Sequence, residues 1–197
     1  MIDLLKKNAV VFSALLAITG GLGLFVVVRR RPSTPVPGAT LLAQPVAIPS
    51  FSLTDDSGKP FSSSDLKGAW LGAFVFTNCG TQCPMMAAKM KRIRRKIPAL
   101  GLVSFSVDPG DTPERLAKYK RGLGADWIFL TGGPGVVRTL CIEGFKLPVA
   151  DGTSADEMIL HSKNLVLVDG KNRIVGYFDS DDPVSIKALL KTAKGLL

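Results

Sequence analysis

Two cysteines, Cys79 and Cys83, separated by Gly80-Thr-Gln, and one histidine, His161, are the residues whose types fit chemistry at sulfur or at a soft metal. The thiols stand where an apolar run over 71–76 stops and Pro84 begins the next element. Proline suits the first turn of a helix, where its missing N–H has no partner to lose. The pair therefore reads as a loop between a buried strand and a helix N-terminus. Partial positive charge at such a terminus lowers the pKa of a nearby thiol, so Cys83 is expected to lean towards thiolate.

Two sulfurs and one imidazole make a three-coordinate set suited to Cu(I), and to Cu(II) when an oxygen completes it. Zinc wants a fourth closed ligand. Cys141 could supply one, but its place in Val136-Val-Arg-Thr-Leu-Cys-Ile-Glu, on a face shared with Val137, reads as core. The competing chemistry is thiol–disulfide exchange. Redox pairs usually have two intervening residues, and here there are three; the wider loop can still close a disulfide. Met85 and Met86 are soft as well. Helical spacing puts Met86 on the core face and leaves only Met85 able to approach a metal, so neither joins the site.

The elements that must position these residues follow from pattern. Residues 51–53 and the turn Asp55-Asp-Ser-Gly58 read as a strand and its end, and Ser62 to Asp65 as a capped turn closing at Gly68. Trp70 to Phe76 is the central strand. The helix after Pro84 places Met86, Met90, Ile93 and Ile97 on one face and stops at Pro98. Leu102 to Val107 is a second strand, Asp111-Thr-Pro-Glu opens a helix to about Arg121, and Trp127 to Leu130 is a third strand. Residues 136–143 predict a helix, and 164–168 and 173–178 flank Asp169-Gly170 as a hairpin. A last helix covers about 183–196. This order is that of a thioredoxin-like α/β/α sandwich. In that fold the loop leading into the hairpin, which carries His161, lies against the start of the first long helix, and this lifts a lone histidine above its ordinary structural role.

The 197 residues are 46% hydrophobic with a net charge of +9. Basic residues are scattered without interleaved aromatics, which argues against nucleic acid. Lys89, Lys91, Arg92, Arg94, Arg95 and Lys96 crowd one helix, a candidate docking face for an acidic partner whose plainer reading is a solvated surface. Residues 9–28 carry no charge and are long enough to span a bilayer as an uncleaved anchor. Domain 1–31 is thus an anchor with basic flanks, 32–50 a proline-rich tether of roughly 55–60 Å reach, and 51–197 the folded domain. Three arginines after the span against two lysines before it favour an inward domain, whereas a poised thiol pair favours a compartment where disulfides form.

Phe74 to Pro84, Val103-Ser-Phe-Ser-Val-Asp-Pro109 with Asp111-Thr-Pro113, Phe129-Leu-Thr-Gly132, and Ile159-Leu-His161 leading to Leu167-Val-Asp-Gly170 resemble the Sco/SenC family over about residues 50–190. The resemblance implies a membrane-anchored, thioredoxin-like, copper-binding protein. It would be single-pass in the cytoplasmic membrane, with its domain on the periplasmic or extracytoplasmic side. Such a protein is a metallochaperone more than an enzyme, and helps assemble the binuclear copper centre of cytochrome c oxidase as copper donor or as reductant of that centre's cysteines. Its partner would be the copper-bearing oxidase subunit or another copper protein. Carried over, the copper ligands fall on Cys79, Cys83 and His161. Asp108 matches an acidic residue near the family's site and reads equally as a turn residue. Gly80 stands where the family usually has proline, which loosens the loop. The alternative is a thiol–disulfide oxidoreductase or redox sensor using Cys79 and Cys83 without copper transfer.

Overall fold

The computed structural model describes residues 38–147 and 163–197. The predicted membrane span, the first part of the tether and His161 lie outside the described residues. Eight strands form one sheet: β1 (Ala39–Ala47), β2 (Ser52–Asp55), β3 (Pro60–Ser62), β4 (Trp70–Val75), β5 (Gly101–Ser106), β6 (Ile128–Thr131), β7 (Asn164–Val168) and β8 (Arg173–Asp179). Their order is β1-β8-β7-β4-β5-β6-β2-β3. β4, β5 and β6 are parallel, while β7 runs antiparallel to β4. Among the described residues four α-helices accompany them: α1 (Gln82–Lys96), α2 (Pro113–Leu123), α3 (Val136–Thr139) and α4 (Pro183–Lys194).

β4 is buried along its whole length because both faces of the sheet are covered. Leu71, Ala73 and Val75 point to a layer holding Met86, Met90 and Ile93 of α1, Leu116 of α2 and Leu189 of α4. Trp70 and Phe74 point the other way, to a layer holding Phe105, Phe145, Val137 and Cys141. There Phe74 stacks on Phe105 at 5.2 Å and meets Phe145 edge-on at 5.1 Å. The α/β/α arrangement is the expected one, with α3 and the segment after it supplying the thinner outer layer.

Three expectations change. The sequence pattern extends the tether through residue 50, but 39–47 is strand β1, paired antiparallel with β8. Prolines disguised it: Pro45 falls where the register shifts between Leu41 and Val46, on an edge strand, where a missing N–H is tolerated. The partner strand is adapted to it, since a Cβ on Gly176 would stand 2.8 Å from the carbonyl oxygen of Thr40. The helix expected over 136–143 is one α-turn followed by a π-turn at Leu140–Gly144. The hairpin turns over 169–172, and the left-handed residue is Asn172 (φ 54) rather than Gly170. Asn172 is fixed there by accepting from Trp70 Nε1 at 3.1 Å and donating to the Ser63 carbonyl at 3.0 Å.

Candidate metal and thiol centre

The parallel strands end side by side, Val75 opposite Ser106, and the loops after them share one end of the sheet. Ligand sites of α/β sheets form at that carboxyl end. The loop after β4 carries Cys79, and α1 begins within it. β7 runs back along β4, so the chain arriving at Asn164 reaches the same end of the sheet.

α1 starts without an ordinary side-chain cap at Thr81. Instead, the Cys79 sulfur accepts the backbone N–H of Cys83 at 3.2 Å. One thiol thus caps the helix whose first turn holds the other. Both are buried, and they are not joined as a disulfide. Burial reverses the expectation for Cys83. Desolvation pushes its thiol far up, Cys79 and Asp111 push the same way, and only the Phe76 backbone contact opposes them. The helix terminus favours a thiolate, but the loss of water outweighs it.

The other sequence candidates separate cleanly. Cys141 lies in the opposite layer, so it cannot join the pair as a zinc ligand; burial pushes its thiol up to about 12. Met86 is buried, while Met85 is exposed. Asp108 is a turn residue: its carboxylate accepts the Gly110 N–H at 2.8 Å and its carbonyl the Asp111 N–H at 3.0 Å. Around Gly80 a Cβ would meet nothing within 4 Å.

Asp111, expected only to open a helix, is the buried anchor of the cysteine loop. Its carboxylate accepts the Thr77 N–H at 2.9 Å, the Thr77 hydroxyl, and the Ser106 hydroxyl at 2.5 Å. Arg115 stands one helical turn on, its Nε 3.7 Å from the same carboxylate. Its Nη2 donates to Thr77 at 3.2 Å and to Asn78 at 3.1 Å. The Asp-x3-Arg spacing across a helix start was the available signal. Tyr119 completes the surroundings: its buried hydroxyl has no hydrogen-bond partner among the described residues. Burial, followed by the nearby thiols, raises its pKa.

Among the described residues no cluster of three or more His, Cys, Asp or Glu could hold a metal. The two buried thiols are nevertheless a fitting pair of soft donors, already within reach of one another through the capping contact.

A sequence model of the SCO1/SenC family matches residues 40–196. A SCO1 protein homolog of Bacillus subtilis is 38% identical over 61% of this chain and 68% of its own length. A protein of Stutzerimonas stutzeri named for copper binding is 33% identical over 80% of each. The solved structure of BsSco, described as a member of the Sco family of cytochrome c oxidase assembly proteins with a disulfide switch, superposes with a TM-score of 0.67. It is 26% identical over 77% of this chain and 94% of its own. With a thiol-capped α1, a thioredoxin-like sheet and a sequence match spanning β1 to α4, the chain belongs to the SCO1/SenC family.

Proposed function

We propose that this protein binds copper through Cys79 and Cys83, with His161 as third ligand, and serves the assembly of the binuclear copper centre of cytochrome c oxidase. The observation that carries the reading is the contact between the Cys79 sulfur and the Cys83 N–H at 3.2 Å. It holds two buried soft donors together at the end of the sheet where the chain following His161 also arrives. Buried thiols suit a cargo site: they are shielded from solvent, and they must each release a proton for the metal to enter. The membrane span at 9–28 would anchor the protein, with its domain on the extracytoplasmic side.

The same geometry supports a second reading, thiol–disulfide exchange. Oxidation of the pair to one disulfide releases two protons and two electrons, which a disulfide in a partner protein would accept as it opens to two thiols. The two roles are compatible, because copper needs the reduced pair. The deciding experiment titrates the reduced full-length protein with Cu(I) under anaerobic conditions and measures stoichiometry and ligands by X-ray absorption. One copper per chain with two sulfur ligands supports the copper reading. No bound copper, with a reversible disulfide retained, assigns the protein to exchange alone.

A further inference from the structure

Both α1 and α4 cover the same face of the sheet as the thiol pair, and a groove of about 410 Å³ runs between them. Its floor is apolar, formed by Ile93 of α1 with Ile186 and Leu190 of α4. Its rim is basic, formed by Arg92, Lys96 and Lys187, none of which has an ion-pair partner among the described residues. Neither helix contains an acidic residue. Asp181, at one end of the groove, is already occupied by Lys89 and Lys163. The buried Ser180 hydroxyl on the groove wall has no hydrogen-bond partner among the described residues.

The groove has a direction. Lys89, Arg92, Ile93 and Lys96 recur at the spacing of one α1 face, so the lining follows that helix for about two turns, about 10 Å. At 1.5 Å per residue it begins about 9 Å from Cys83. An occupant would therefore end close to the thiols.

We propose that this groove docks an acidic amphipathic helix of a protein partner. A helix laid in it would press an apolar stripe onto Ile93, Ile186 and Leu190 while carboxylates on its flanks meet the basic rim. Charge complementarity selects the sign of the partner, and concavity selects its shape: a bilayer surface is flat and would leave the apolar floor unfilled. The basic N-terminal part of this chain, with Lys6, Lys7, Arg29, Arg30 and Arg31, has the wrong sign to occupy the groove itself. The inference holds whether the docked partner receives copper or electrons.

The test uses the full-length protein in phosphatidylcholine nanodiscs and a synthetic peptide with leucines along one helical face and glutamates along the other. A scrambled peptide of the same composition is the control. The amphipathic peptide is expected to slow amide hydrogen exchange over residues 89–96 and 183–190, and the scrambled one to leave it unchanged. The combined substitution Arg92→Glu, Lys96→Glu and Lys187→Glu should weaken binding by about tenfold or more, with copper stoichiometry unaltered. Equal binding of the two peptides, or undiminished binding by the triple variant, overturns the proposal. So does protection produced by phosphatidylglycerol in the disc but not by peptide, which would assign the face to lipid. Exchange that is already slow without peptide and speeds up in the Asp156→Asn, Glu157→Gln variant would make the chain's own acidic segment the occupant and likewise overturns it. Copper stoichiometry is read separately, so failure of docking and failure of the copper reading are distinguishable.

Discussion

Lys163, the second residue after His161, places its Nζ 3.1 Å from the carboxylate of Asp181. The same carboxylate pairs with Lys89 of α1 and lies 3.5 Å from the amide nitrogen of Gln82, between the two cysteines. One side chain thus ties the thiol helix to the chain that has just left the histidine. Its backbone neighbour adds to the tie, because the Ser180 N–H donates to the Lys163 carbonyl at 3.0 Å. Lys89 first, and then Lys163, hold the Asp181 carboxyl down at about 2. A depressed carboxyl contributes stability that is complete above the ordinary range near pH 4 and is lost as pH falls through about 2. Asp181→Asn is expected to speed amide exchange at Asn164–Val168 at neutral pH, and to weaken Cu(II) binding more than Cu(I) binding, as His161→Ala should. Unchanged exchange at β7 would reduce the pair to a surface contact.

Asp111 makes a larger prediction because it is almost fully buried, at 1% exposure. Removing its carboxylate leaves the Thr77 N–H and the hydroxyls of Thr77 and Ser106 without their acceptor. Unpaired buried donors cost more than a lost surface contact, and Asp111→Ala is expected to destabilise the reduced protein by about 3 kcal/mol. Arg115→Gln touches the same network from its exposed side, and should cost less than about 1 kcal/mol. Urea unfolding of both variants measures the difference. The order matters more than the values: equal losses would mean that the guanidinium, not the carboxylate, holds the cysteine loop.

Much of this arrangement was legible in the sequence because local and long-range signals agreed. The α1 face of Met86, Met90 and Ile93 is buried as its spacing required, and Thr112 caps α2 just before Pro113. Two kinds of feature escaped. β1 carries no local signature strong enough to outweigh Pro45 and the prolines on either side of it; it is a strand because β8 offers an edge and Gly176 makes room. Asp111 looked like helix punctuation because its true partners, Thr77 and Ser106, come from other strands' ends. The thiol of Cys83 shows the same limit in its electrostatics. Helix position was visible in the sequence, but the depth of burial that overrides it was not.

Gly80 leaves open space where a Cβ would stand, and its backbone is not in the left-handed region. Alanine can therefore adopt the native conformation there while restricting the unfolded chain. Gly80→Ala should stabilise the reduced protein by about 0.5 kcal/mol, visible as a small rise in Tm. A less mobile loop holds the thiols closer to their metal-binding positions, so Cu(I) affinity should rise with stability rather than against it. A fall in Tm would show that the glycine is needed for its conformation.

The buried thiols impose a pH dependence on the protein with and without its metal, and the two run in opposite directions. Burial raises the pKa of Cys83 and of Cys141, so the folded reduced protein keeps both neutral while the unfolded chain ionises them near the ordinary value of about 8.5. Stability from this source is complete below about pH 8.5 and declines as pH rises from there towards the folded values. The Tm of the reduced, metal-free protein should therefore fall between pH 8 and 10 on the order of a few degrees. Copper uptake displaces the Cys83 proton, so apparent Cu(I) affinity should rise with pH over the same interval. Measured together, a falling Tm without copper and a rising affinity with it identify a neutral buried thiol as the resting state. Affinity independent of pH would mean that Cys83 is already a thiolate, with the positive end of α1 prevailing over burial after all.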